Sequence, residues 1–211
     1  MVFENREQAG HLLAKEISRL KLSKNETVVA AIPRGGVAVG KAISGQLGFA
    51  LSVVVVKKLG APQNPELAIG ATASFGKPVL DHWLIRDLDV SRDWLKKEII
   101  KKRKEAQERE NYLGVKIPDK LFRDKVVIVV DDGLATGQTA KAASRVVRQF
   151  GAREVILAIP CAAPVTVNSV KEDFDKIIVL EKSDDFAAVG QFYNDFRPVS
   201  DEEVKSILAQ N

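Results

Sequence analysis

Fifteen consecutive residues, Val126 to Ala140 (VVIVVDDGLATGQTA), carry the most legible chemistry in this chain of 211 residues. Five apolar, mostly β-branched residues (Val126, Val127, Ile128, Val129, Val130) predict a buried strand. Two carboxylates follow it, Asp131 and Asp132. Then come Gly133, Leu134, Ala135, Thr136, Gly137, Gln138 and Thr139, small and hydroxylated residues that lead into helical spacing. A strand, a small-residue loop and a helix N-terminus form a phosphate cradle, because unpaired backbone N–H groups and the helix dipole converge there. Glycine lets the backbone come close, and Thr136 and Thr139 add hydroxyl donors. A phosphate beside two acids is an odd pairing unless the ligand also offers hydroxyls. A phosphorylated sugar does: the loop takes its phosphate, and Asp131 and Asp132 accept from two ribose hydroxyls. An Asp-Asp-Gly turn in an unrelated α/β protein would account for the acids, but it does not require the Thr-Gly-x-Thr that follows.

A second group of candidates is basic. Pro33-Arg34-Gly35-Gly36 follows an expected strand over residues 27–32; Arg34 offers a planar fork of donors suited to phosphate, and Gly35 and Gly36 expose their N–H groups. Gly35 to Lys41 (GGVAVGK) also fits the G-x-x-x-x-G-K part of a nucleotide-binding P-loop. An NTPase is therefore an alternative, with Asp131 on its acidic strand. Ala42 counts against it, having no hydroxyl for Mg²⁺, and the P-loop reading leaves residues 133–139 with nothing to hold. Lys57 and Lys58 end another expected strand, 51–56, and open an irregular stretch, 59–76, rich in proline and glycine. A loop of that length in a compact domain is usually functional, most often a lid.

These residues need a scaffold, and the rest of the chain supplies its pattern. Helical spacing runs over residues 5–20, with Asn5 and Gln8 as a cap pair, and over 37–47, stopped by Gly48. A long charged helix spans 91–113 and ends at Gly114; another follows the motif, 138–150, with Gly151 as its stop. Strands are expected at 154–160 and 175–180, and Ser200-Asp201-Glu202-Glu203 opens a last helix as a capping box. Alternating strands and helices predict an α/β fold with a mainly parallel sheet flanked by helices. The run Pro160-Cys161-Ala162-Ala163-Pro164 is a candidate boundary, dividing one domain into a core (1–160) and a small C-terminal part or hood (161–211). The chain shows no internal repeat.

Composition narrows the class. With 45% hydrophobic residues the chain can bury a substantial core, and a net charge of +4 suits an anionic ligand without demanding nucleic acid. A single cysteine excludes an intramolecular disulfide framework, and two histidines make a histidine-centred metal or catalytic site a poor expectation. There is no apolar run long enough for a membrane span and no signal-peptide pattern at the start, so a cytoplasmic protein without membrane partners is expected. Acids interleave with the basic residues of the 91–113 helix, which favours a cover over the core or a homodimer contact over a nucleic-acid surface.

The segment 126–140 resembles the phosphoribosyl-pyrophosphate motif of type I phosphoribosyltransferases: hydrophobic strand, two acids, Gly/Thr phosphate loop. Residues 57–62 and 68–71, and Gly190-Gln191-Phe192-Tyr193 near the end, extend the resemblance to a subgroup of uncharacterised phosphoribosyltransferase-like proteins. The resemblance implies transfer of ribose 5-phosphate from phosphoribosyl pyrophosphate to a small nitrogenous base, with release of pyrophosphate. It implies that residues 133 and 135–139 hold the 5-phosphate, that Asp131 and Asp132 serve the ribose, and that Arg34, Gly35, Gly36, Lys57 and Lys58 bind pyrophosphate. A cis peptide at Pro33–Arg34, a mobile cover formed by 59–76, and Mg²⁺ held mainly by ligand oxygens and water are implied as well. Relatives acting on oxopurines often carry a lysine on the strand after the motif helix; Val155 to Cys161 has none, so the base stays open. Phe186, Phe192, Tyr193 and Phe196 could stack a base or simply pack a core. A non-catalytic sensor of the same donor, or of a nucleotide, is the alternative.

Overall fold

The computed structural model describes residues 1–65, 67–115 and 121–209. Its centre is a five-stranded sheet in the order β2-β1-β6-β7-β8, every neighbouring pair parallel. The strands are β1 (Thr27–Ala31), β2 (Ala50–Val53), β6 (Val126–Val130), β7 (Glu154–Ala162) and β8 (Lys176–Lys182). All five β6 residues are buried, as their unbroken apolar run predicts. Alternation then divides them between two cores. Val126, Ile128 and Val130 face Leu13, Ala14 and Ile17 of α1 (Arg6–Ser18) and Val39 and Ile43 of α2 (Gly35–Leu47). Val127 and Val129 face Ala140, Ala143, Val146 and Val147 of α5 (Gln138–Gln149). Each fully buried branched side chain is worth about 1.5–3 kcal/mol, so this strand is the anchor of both layers. The sheet continues past Pro160, because β7 runs to Ala162 and pairs with β8 as far as Lys182.

Local signals set the helix ends. Asn5 caps α1 by accepting the N–H of Gln8, and Gly48 closes α2 in the left-handed conformation (φ 70°). Ser91 caps α4 (Arg92–Leu113), Gly114 ends it, and Ser200 and Glu203 form the reciprocal box that opens α7 (Asp201–Ala209). Arg109 of α4 forms a forked ion pair with Asp201 of α7, and both helices pack with Val53 at the β2 edge of the sheet. No helix among the described residues is long and apolar enough to cross a membrane.

The stretch expected as an irregular lid carries part of a second sheet. β3 (Lys57–Gly60), β4 (Ala68–Thr72) and β5 (Val79–Leu80) pair antiparallel, with a bulge between Leu59 and Gly60. A turn through Asn64 joins the first two strands, and Leu59 and Ile69 are fully buried in a cluster that includes Leu84, Ile85, Trp94 and Leu95. That cluster reaches α3 (His82–Asp87) and α4, so the segment is a packed subdomain rather than a structureless cover. Short strands punctuated by proline and glycine conceal the period-2 signal on which recognition of a strand depends.

Candidate active site

The motif loop leaves the C-terminal end of β6, where open parallel sheets bind ligands. Leu134 is buried and its N–H donates to the carbonyl of Cys161 at 2.9 Å, which fixes the loop against β7. Gly137 caps α5 with φ 75°, and a Cβ there would meet Val170 at 2.5 Å. The Thr166 hydroxyl donates to the carbonyl of Ala135 at 3.0 Å. Thr166 and Val170 belong to α6 (Pro164–Val170), which backs the loop from a part of the chain that sequence reading did not connect with it. Ala135, Thr136, Gln138 and Thr139 are exposed, free to meet a ligand at the N-terminus of α5.

The second loop arrives beside the first. The Pro33–Arg34 peptide is cis, and α2 starts at Gly35, two residues earlier than its sequence period suggests. A Cβ on Gly36 would lie 2.6 Å from the Val130 carbonyl; one on Gly35 would lie 1.8 Å from Asp132 Oδ2. The start of α2 is therefore seated directly on the acid pair. GGVAVGK is helical from its first residue, so it has no loop with which to wrap a nucleotide phosphate, and the P-loop alternative fails on that geometry.

Asp131 and Asp132 differ sharply in their surroundings. Asp131 Oδ1 accepts the N–H of Asp132 at 2.9 Å; burial, reinforced by the Asp132 charge, pushes its carboxyl well above the usual range. Asp132 Oδ2 accepts Arg6 Nε at 2.8 Å, and its carbonyl accepts the Tyr193 hydroxyl at 2.6 Å. Burial also raises the Tyr193 phenol, and pushes the nearby Cys161 thiol up to about 12. Phe192 and Tyr193 are buried with Phe3 and Ala9, so core packing accounts for these two aromatics. Arg6 was not anticipated as a site residue. A cation in the first turn of a helix opposes the dipole, and that was the available signal.

Lys57 and Lys58 take opposite faces of β3. Lys57 lies across from Thr72, whose hydroxyl meets Arg103 of α4 at 3.4 Å. Lys58 lies across from Ala71, which lines a cleft with Gln138, Lys141 and Arg145 of α5. Lys58 thus shares the side of the small sheet that faces α5, the helix that follows the motif loop. His11 and His82 stand apart from the acids, on exposed positions of α1 and α3.

Comparison with known proteins gives one consistent result. Residues 3–197 match the family model of the phosphoribosyl transferase domain. A curated Mycobacterium tuberculosis protein, provisionally named a phosphoribosyl transferase, is 36% identical over 98% of this chain. The chain spans 46% of that relative's length. The crystal structure of TT1426 from Thermus thermophilus superposes with a TM-score of 0.86 at 38% identity, covering 100% of this chain and 99% of that one. A purine phosphoribosyltransferase from Pyrococcus horikoshii shares the fold, with a TM-score of 0.52 at 20% identity over 94% of this chain and 97% of its own. With its parallel core, its paired acids and its Gly/Thr loop at the sheet's C-terminal edge, this chain belongs to the phosphoribosyltransferase domain family.

Proposed function

We propose that the protein transfers the ribose 5-phosphate group of phosphoribosyl pyrophosphate to a ring nitrogen of a small base, releasing pyrophosphate. The observation that carries this reading is the meeting of two phosphate-binding loops, 133–139 and 33–36, on either side of Asp131 and Asp132. One loop fits the 5-phosphate, the other the pyrophosphate, and the acids between them fit the sugar. Displacement at the anomeric carbon leaves the sugar oxocarbenium-like, so a carboxylate held beside the ribose stabilises the developing positive charge. Arg34 and the glycine N–H groups at the start of α2 neutralise the leaving pyrophosphate, with Lys58 as the lysine on the α5 side. Gly133 and residues 135–139 anchor the 5-phosphate and thereby orient the reacting carbon.

Among the described residues no cluster of three or more acids, histidines or cysteines is placed to cage a metal. Arg6 engages one of the two motif acids, which leaves Asp131 as the side chain that would share Mg²⁺ with the oxygens of a bound donor and with water. When bound, that ion would add positive charge to the leaving pyrophosphate.

The test is pyrophosphate release from phosphoribosyl pyrophosphate and Mg²⁺, with and without pooled purine and pyrimidine bases. Base-dependent release is the expected result, and dividing the pools names the acceptor. Donor binding with no release from any pool would replace the enzyme by a sensor; no donor binding would overturn both.

A further inference from the structure

Arg6 lies outside both loops, 126 residues before the acid it holds. Its side chain is 10% exposed and that of Asp132 is 15% exposed, so this is an ion pair withdrawn from water. Three further contacts fix the guanidinium. Nη1 donates to the carbonyl of Arg197 at 2.9 Å, the group lies 4.0 Å from the centre of the Phe196 ring, and the Tyr193 ring stands at 5.9 Å. Asp132 is pinned at both ends, by Arg6 on its carboxylate and by the Tyr193 hydroxyl on its carbonyl. The space that a Cβ of Gly35 would need is filled by that carboxylate.

We propose that Arg6 is a positioning residue for the acid pair. By holding the Asp132 carboxylate against the start of α2, it leaves Asp131 as the acid presented to the sugar hydroxyls. The N-terminal helix and the segment 193–197 would then act together as a clamp on the motif from outside it. This rests on the proposed function for the identity of the sugar, but the coupling of Arg6 to the acids does not.

Arg6 touches Asp132 and the segment 193–197 and stands outside the loop 133–139, so its removal should weaken binding of a sugar and spare binding of a phosphate, a split that a merely structural residue would not give.

Two variants and two ligands test the proposal, with thermal unfolding to confirm that each variant folds. Calorimetric titration with ribose 5-phosphate reads sugar and phosphate together, and titration with inorganic phosphate reads the phosphate alone. Arg6→Gln should bind ribose 5-phosphate about tenfold or more weakly, the scale of one charge-assisted contact, with its affinity for phosphate unchanged. Arg6→Lys keeps the charge but loses the Arg197 contact and the flat stack on Phe196, so it should recover part of that loss and still bind ribose 5-phosphate more weakly than the unaltered protein. Unchanged affinity for ribose 5-phosphate in folded Arg6→Gln would overturn the proposal, and so would an equal loss for phosphate, the mark of a merely structural role. So would unchanged affinity in Arg6→Lys, whether or not Arg6→Gln folds. If the unaltered protein fails to bind ribose 5-phosphate, the proposed function falls instead, and a double-mutant cycle of Arg6→Gln with Asp132→Asn in thermal unfolding still decides whether Arg6 holds that acid.

Discussion

Asp131→Asn is expected to lower kcat/KM by about 100-fold or more while leaving the protein as stable as before or more so. Under the proposed function, the catalytic loss follows from removing a negative charge beside a developing cation, an interaction that is strongest in the transition state. The stability gain follows from no longer holding a half-buried carboxylate beside a second acid. Asp131 has its carboxyl raised by desolvation first and by the Asp132 charge second, so holding it ionised opposes folding. Asparagine keeps the shape without the charge. Asp132→Asn looks equivalent in sequence and is not, because it strands a guanidinium that is 10% exposed. Breaking a buried pair in this way costs about 3–5 kcal/mol, so a loss of activity in that variant would report on folding as much as on chemistry. Thermal unfolding of both variants, beside steady-state kinetics, separates the two cases. A destabilised Asp131→Asn would show that the burial argument is wrong.

The same raised pKa sets the sign of a pH dependence. A carboxyl whose pKa is higher folded than unfolded binds more protons in the native state between those two values. Its contribution is therefore most favourable below the ordinary carboxylate range and is lost as pH climbs through the raised value. The stability difference between Asp131→Asn and the unaltered protein should accordingly be small near pH 4 and grow toward neutrality. This window belongs to Asp131 alone; paired carboxylates elsewhere, such as Asp201 with Arg109, have lowered pKa values and act in the opposite sense.

What could be read from sequence was whatever is local. The β6 run, Ser91 and Gly114 at the ends of α4, the Ser200–Glu203 box and the Gly48 stop each need only neighbours within four residues, and each is present. The parallel sheet followed from the alternation of such elements. Long-range pairing leaves no such trace. The β3–β5 sheet consists of strands of two to five residues, with a bulge where Gly60 presses on Pro65, and no regular period survives that. Thr166 reaches Ala135 across 31 residues, and Arg6 reaches Asp132 across 126; neither spacing has meaning until the sheet brings the ends together. The motif named the acids, and only the fold showed that one of them is already engaged.

The seating of α2 on those acids leads to the second large effect. Gly36→Ala should destabilise the protein by about 1–3 kcal/mol, a fall in Tm of roughly 2–12 °C for a domain of this size. The added Cβ would lie 2.6 Å from the Val130 carbonyl and 2.9 Å from Asp131 Cα. Both are backbone atoms at the end of a fully buried strand, and neither can rotate aside. Relief requires the helix start or the acid-bearing turn to shift, so activity should fall with stability. Gly35→Ala meets a different obstacle, the Asp132 carboxylate at 1.8 Å with Arg6 Nε at 3.1 Å. Side chains can move, and the expected cost there is disruption of the ion pair rather than of the backbone. Gly45, in the same helix, has nothing within 4 Å of its missing Cβ. Gly45→Ala should therefore stabilise by about 0.5–1 kcal/mol through helix propensity alone. Calorimetric Tm values for Gly36→Ala and Gly45→Ala should move in opposite directions from the parent. Equal shifts would mean that α2 does not rest on the motif, and with that the contact joining the loops 33–36 and 133–139 would be lost.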